Sequence, residues 1–226
     1  MELNADFEQR AVVHAGKIDW VNSPMPGVDR RMLDRIGDEV ARATSIVRYA
    51  PESKFSAHVH TGGEEFLVLE GVFKDEHGDF PAGTYVRNPP QSSHTPGSDA
   101  GCTILVKLWQ FDPEDRVQIK RETAQMDFTA DPSRHGVGVM ALYEDAREKV
   151  ALEQWAPGAE VALEAPKGLE ILVLEGGFSE GGEAFEYQSW LRMPAGSHTV
   201  ATAGPEGAKI WIKRDHLGET PQAPKP

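Results

Sequence analysis

One stretch of this chain occurs twice. Glu65-Phe66-Leu67-Val68-Leu69-Glu70-Gly71-Val72-Phe73 returns 105 positions later as Glu170-Ile171-Leu172-Val173-Leu174-Glu175-Gly176-Gly177-Phe178. The flanks repeat in the same order: Ala50-Pro51 with Ala156-Pro157, Tyr85-Val86-Arg87-Asn88-Pro89 with Trp190-Leu191-Arg192-Met193-Pro194, and His94-Thr95 with His198-Thr199. Shared β composition does not align so many segments in one order, so the chain reads as two tandem copies of one unit. At 226 residues each copy has about 100, enough to bury a core of its own.

The unit is all-β. Short runs rich in Val, Ile, Leu, Phe and Tyr are divided by Gly, Pro and Asp clusters, the pattern of a sandwich or small barrel, and helical periodicity is scarce. Strands are expected over 44–49, 55–60, 64–73, 83–87 and 102–111. Asp75-Glu76-His77-Gly78-Asp79 and Pro81-Ala82-Gly83 carry the turn residues between them. Residues 1–43 read as a lead-in packing on the barrel, irregular at Ser23-Pro24-Met25-Pro26-Gly27 because each proline turns its predecessor away from helix. Residues 44–125 form the first domain and 126–226 the second. The junction lies within 112–138, where Asp112-Pro113-Glu114-Asp115 and Asp131-Pro132-Ser133 suit a linker.

Composition narrows the chemistry. With 39% hydrophobic and 26% charged residues, the chain is apolar enough to fold. A single cysteine, Cys102, excludes a disulfide framework or thiol cluster, so any metal must use His and carboxylates. The net charge of -13 and the lack of a basic stripe argue against nucleic acid. No run approaches the roughly 18 apolar residues of a membrane helix, and the first residues lack the regions of a signal peptide. The expected location is cytoplasmic.

His58 and His60 stand two apart, so a strand projects both imidazoles from one face. Glu64 follows four residues on, and His94 comes from a later strand. Three imidazoles and one carboxylate are a donor set for a borderline divalent ion, whereas magnesium and calcium favour oxygen alone. His-x-His by itself is a weak signal. The full pattern His58-x-His60-x3-Glu64-x6-Gly71, then Pro81, Gly83 and His94, is a stronger one. One divalent transition metal per chain is expected, zinc or iron first, nickel or manganese next.

Glu64 and Glu65 compete for the carboxylate role. The second copy keeps Glu65 as Glu170, whereas Glu64 becomes Leu169 and His58 and His60 have no histidine counterparts around Leu163-Glu164-Ala165-Pro166. Glu65 therefore has a use apart from the metal, such as pairing with Arg87 as Glu170 would with Arg192, and Glu64 is the ligand. Of the four candidates the second copy retains His198 alone, which is read as a satisfied polar residue of a site-less barrel. His14, His77, His135 and His216 read as surface or loop histidines. The aromatic residues Tyr49, Phe55, Phe73, Trp109, Phe111, Trp155, Phe178, Trp190 and Trp211 read mostly as core, with one or two lining a pocket.

These residues resemble the first signature of the cupin superfamily in both halves, giving a tandem double cupin of two small β-barrels or jelly rolls with few short helices. More narrowly, Gly63-Glu64-Glu65-Phe66-Leu67-Val68-Leu69-Glu70-Gly71, Phe80-Pro81-Ala82-Gly83-Thr84-Tyr85, Arg87-Asn88-Pro89-Pro90 and Gly101-Cys102 resemble the cupin domain of ChrR anti-sigma factors. Carried over residue by residue, the resemblance assigns His58, His60, Glu64 and His94 as metal ligands. It implies a sensory or regulatory role in which a small molecule or oxidant acts at the metal, with a sigma factor as partner. The family's helical sigma-binding module, with its own zinc held by His and Cys, has no counterpart in residues 1–43. The alternative is a mononuclear iron dioxygenase acting on a small diketone or phenolic compound. A homodimer is expected, and no catalytic residue is assigned.

Overall fold

The computed structural model describes residues 1–38, 40–219 and 221–224, and they form two compact units. Unit one holds 1–5 and 18–125, together with the described residues after Pro221. Unit two holds 6–17 and 126–221. Both are all-β. Helix among the described residues is confined to two 3-10 turns, Ala15–Lys17 and Thr123–Gln125.

In unit one, six strands lie side by side in the order Val28–Gly37, Ala41–Tyr49, Cys102–Leu108, Glu64–Asp75, Thr84–Asn88 and Ile119–Glu122, every neighbour antiparallel. Ala41–Tyr49 pairs with Cys102–Leu108 across more than fifty intervening residues, so the ends of the first copy close on each other as in a jelly roll. A second, two-stranded sheet pairs His58–His60 with Ser92–His94. Phe66, Val68, Phe73, Phe80, Val86, Ile104 and Val106 fill the interior.

Unit two repeats this plan with Lys149–Trp155, Ser197–Arg214, Leu169–Glu180 and Ser189–Met193 adjacent in one sheet, and Glu160–Ala165 pairing with the first part of Ser197–Arg214. The repeated Glu-Gly shows why sequence and shape recur together. Gly71 has φ +72° and Gly176 φ +64°, and a Cβ would stand 2.2 Å from a backbone carbonyl in each, Gly101 O or Gly207 O. Only glycine fits both that conformation and that approach.

The lead-in does not behave as one segment. Ala11–His14 forms the strand beside Ser189–Met193 in unit two, in the place that Ile119–Glu122 takes beside Thr84–Asn88 in unit one. Residues 18–43 stay with unit one, and Val28–Gly37 is a ten-residue strand of its main sheet. Its run of Asp29, Arg30, Arg31, Asp34 and Arg35 hides the apolar alternation by which a strand is read from sequence.

Candidate metal centre

The antiparallel pairing of His58–His60 with Ser92–His94 sets His58 opposite His94 and His60 opposite Ser92. The three rings close a triangle with centroids 4.8 Å apart for His58 and His60, 5.1 Å for His58 and His94, and 4.6 Å for His60 and His94. One nitrogen from each lies within 4.8 Å of the others, so these three histidines can hold a metal ion.

Glu64 reaches the same point from the start of the long central strand. Its Oε2 lies 3.5 Å from His60 Nε2 and 3.7 Å from His94 Nε2, beyond the length of a good hydrogen bond. Donor atoms that share an ion at about 2.0–2.2 Å stand roughly 3–3.5 Å apart, so these gaps are of the right size. Both Nε2 atoms are sealed from solvent and have no hydrogen-bond partner. Buried polar atoms are almost always paired, and two unpaired ones aimed at a carboxylate fit a cation between them.

The surrounding groups hold the rings in that orientation. His94 Nδ1 bonds Asp75 Oδ2 at 3.1 Å, and His58 Nδ1 lies 3.3 Å from the Ser56 carbonyl oxygen, which turns each Nε2 inward. Burial pulls the His94 pKa down, but the Asp75 hydrogen bond and the charge of Glu64 outweigh it and raise it. For His60, burial together with the other two imidazoles outweighs Glu64 and lowers the pKa, favouring the neutral ring that a metal requires. Asn88 Nδ2 donates to Glu64 Oε2 at 3.3 Å, and Gln118 Nε2 donates to Asn88 Oδ1 at 3.3 Å.

Glu65 faces elsewhere. It is 1% exposed, accepts a hydrogen bond from Tyr85 OH at 2.8 Å, and lies between Arg87 and Lys107 on the neighbouring strands. Glu170 repeats that setting between Arg192 and Lys213, with Trp190 Nε1 at 3.4 Å. It also meets His216 Nε2 at 2.9 Å, so His216 is a buried partner rather than a surface or loop residue.

The second unit corrects the sequence match at His198. Leu163 opposes Thr199 and Ala165 opposes Ser197, as His58 opposes His94 and His60 opposes Ser92. Thr199, and not His198, therefore takes the place of His94. His198 instead takes the place of Ser93, on the exposed face. Thr199 even keeps the supporting contact, its Oγ1 lying 2.9 Å from Glu180 where His94 meets Asp75. The other three places hold Leu163, Ala165 and Leu169, all fully buried in the apolar core.

A cavity of about 380 Å³ reaches His58, His60 and Glu64, with Tyr49, Phe55 and Trp109 among its walls. Trp109 owes its seat to Gly62, because a Cβ there would fall 2.1 Å from the indole ring.

A jelly roll with a His triad, His58 exposed and His60 and His94 buried, beside a carboxylate at the end of a cavity defines a cupin-type domain with a potential metal centre. Residues 8–112 match the family model of the ChrR cupin-like domain. No curated protein matches the chain. A putative dioxygenase from Nostoc punctiforme superposes with a TM-score of 0.77 at 17% identity, covering 97% of this chain and 87% of that one. Protein Ylba from E. coli does so with a TM-score of 0.70 at 13% identity, covering 94% and 93%. At such identities the likeness is one of fold. Among the described residues no helix is long and apolar enough to cross a membrane.

Proposed function

We propose that unit one is a mononuclear metal centre, held by His58, His60, Glu64 and His94, that binds a small organic molecule directly at the ion and serves a sensory or regulatory role. The observation that carries this reading is the pair of buried, unpartnered Nε2 atoms of His60 and His94 converging on the Glu64 carboxylate. A divalent zinc or iron ion there would supply a Lewis-acidic position for an oxygen donor, and iron would add redox chemistry with dioxygen. His58, His60, Glu64 and His94 fix the donor set, and Asp75, Ser56 and Asn88 orient it. Val28, Val47, Phe55 and Leu108 give the approach an apolar wall, and the cavity gives a ligand a way to the site. That approach supports an open coordination position over a closed structural zinc site. On this reading the second unit is a cupin copy kept for packing, its site filled by Leu163, Ala165 and Leu169.

The match to the ChrR cupin-like domain supports the regulatory role. A second reading, an iron-dependent dioxygenase, draws on the same open cavity and on the fold likeness to the Nostoc protein. Oxygen uptake by the iron-loaded chain with diketones and phenolic ketones separates the two. Metal-dependent ligand binding without oxygen consumption supports sensing, and stoichiometric oxygen consumption supports the enzyme. Absence of any metal-dependent ligand binding would refute both.

A further inference from the structure

The cavity above the histidines also carries two guanidinium groups, Arg30 and Arg35, that the metal chemistry leaves unused. Two other arginines of unit one meet carboxylates, Arg48 with Asp29 at 2.6 Å and Arg87 with Asp115 at 3.1 Å. Arg30 has no such partner among the described residues, and its Nε is sealed from solvent and unpaired. Arg35 directs its Nε to the Gly37 carbonyl at 3.2 Å and an Nη to the Asp38 carbonyl, and its nearest counter-charge, the Asp38 carboxylate, is already paired with the Met1 amino group. Burial lowers the Arg35 pKa, and the charge of Arg30 lowers it further, so two like charges are held close on one cavity wall. In a chain of net charge -13, Arg30 stands against the global balance, with no ion pair to a carboxylate among the described residues. A divalent ion neutralised only by Glu64 leaves one more net positive charge in the same space.

We propose that the cavity selects a small organic acid, with an oxygen donor at the metal end, an apolar body along Val47, Phe55, Leu108 and Trp109, and a remote carboxylate held by Arg30 with Arg35 beside it. This rests on the reading of the His-Glu cluster as a metal centre. A guanidinium fork matches a carboxylate in two parallel hydrogen bonds, whereas a neutral diketone or phenol leaves both arginines unmatched.

The test uses 4,6-dioxoheptanoic acid, whose diketone can chelate while its carboxylate stays free, and its methyl ester. Each is titrated into the zinc-loaded full chain and read by calorimetry. The acid is expected to bind at least about tenfold more tightly than the ester, the worth of one charged hydrogen bond. Arg30→Gln should erase that preference by weakening the acid alone, and Arg30→Lys should restore part of it. Unchanged metal content in both variants shows that the site is still folded. Equal affinity for acid and ester, an undiminished preference in Arg30→Gln, or no binding of either at millimolar concentration overturns the inference. Repeating the titrations after chelator treatment separates the two readings. If stripping the metal leaves both affinities unchanged, the metal reading fails while an Arg30-dependent preference still supports the acid. If stripping abolishes both while acid and ester bind the loaded chain equally, the metal reading stands and the acid is wrong.

Discussion

On the proposed reading two adjacent glutamates divide the work of the first unit, and the division is testable one residue at a time. Glu64 Oε2 faces His60 and His94, so Glu64→Gln removes the one anionic donor and should weaken metal binding at least about tenfold in a dialysis competition, the barrel remaining folded. Glu65, fully buried between Arg87 and Lys107, should show the reverse. Glu65→Gln leaves buried cations short of a counter-charge and should cost about 1–3 kcal/mol in urea unfolding while the bound metal persists. Glu170→Gln is expected to cost a similar amount. If Glu65→Gln released the metal and Glu64→Gln kept it, the assignment would be reversed. Cys102 offers a residue-scale test of a different kind. Burial raises its thiol pKa to about 11 despite the opposing hydrogen bond with Ser98, so thiol reagents should label the native chain slowly at pH 7. Labelling should quicken as pH rises toward that value. Rapid labelling at neutral pH would show that the Cys102 strand opens.

At the scale of elements, the site depends on how two short strands are paired. A single-residue slip between His58–His60 and Ser92–His94 would turn the histidines to the face that Ser93 occupies, and the second unit keeps the same register, with His198 in the place of Ser93. The meeting of His58, His60 and His94 was legible because strand periodicity and the pattern of the first copy constrain them together. His198 was misread because a sequence match aligns letters, whereas position is set by cross-strand partners, and those place Thr199. The Val28–Gly37 strand was not legible, since five charged residues mask its alternation. Nor was the assignment of Ala11–His14 to the second unit, because nothing local to those four residues names the strand they pair with. His216 looked like an isolated histidine near the end of the chain, and only the fold brings it to Glu170. The element picture also expects Gly62→Ala to disturb the site from outside, since the new methyl group would strike the Trp109 indole. Intrinsic fluorescence of Trp109 should shift and ligand affinity should fall. An unchanged spectrum would mean that the Trp109 indole does not pack against Gly62.

For the whole molecule, two units of one plan differ in what fills the same place. In the second, Leu163 and Leu169 are fully buried, so Leu169→Ala should destabilise by about 2–5 kcal/mol whether or not metal is present. In the first, the equivalent space holds the polar groups of the proposed metal centre, so removing metal should lower thermal stability of that unit selectively. The exchanged lead-in adds a further expectation. Residues 6–17 give the second unit the Ala11–His14 strand, the ion pair of Arg10 with Glu180 at 2.8 Å and the stacking of Arg192 on Phe7 at 3.8 Å. A chain beginning at Ile18 should therefore lose stability in the second unit, seen as earlier hydrogen exchange in Ser189–Met193. Undiminished protection there would contradict the pairing.

The proposed function requires that one metal ion be held per chain, by the first unit alone. Metal content of the untagged protein, determined by plasma mass spectrometry after exhaustive dialysis, tests it most directly. Close to one equivalent of zinc or iron is expected in the unaltered chain and almost none in His58→Ala or His60→Ala, each folded by circular dichroism. Two equivalents per chain, or one equivalent that survives both substitutions, would contradict it.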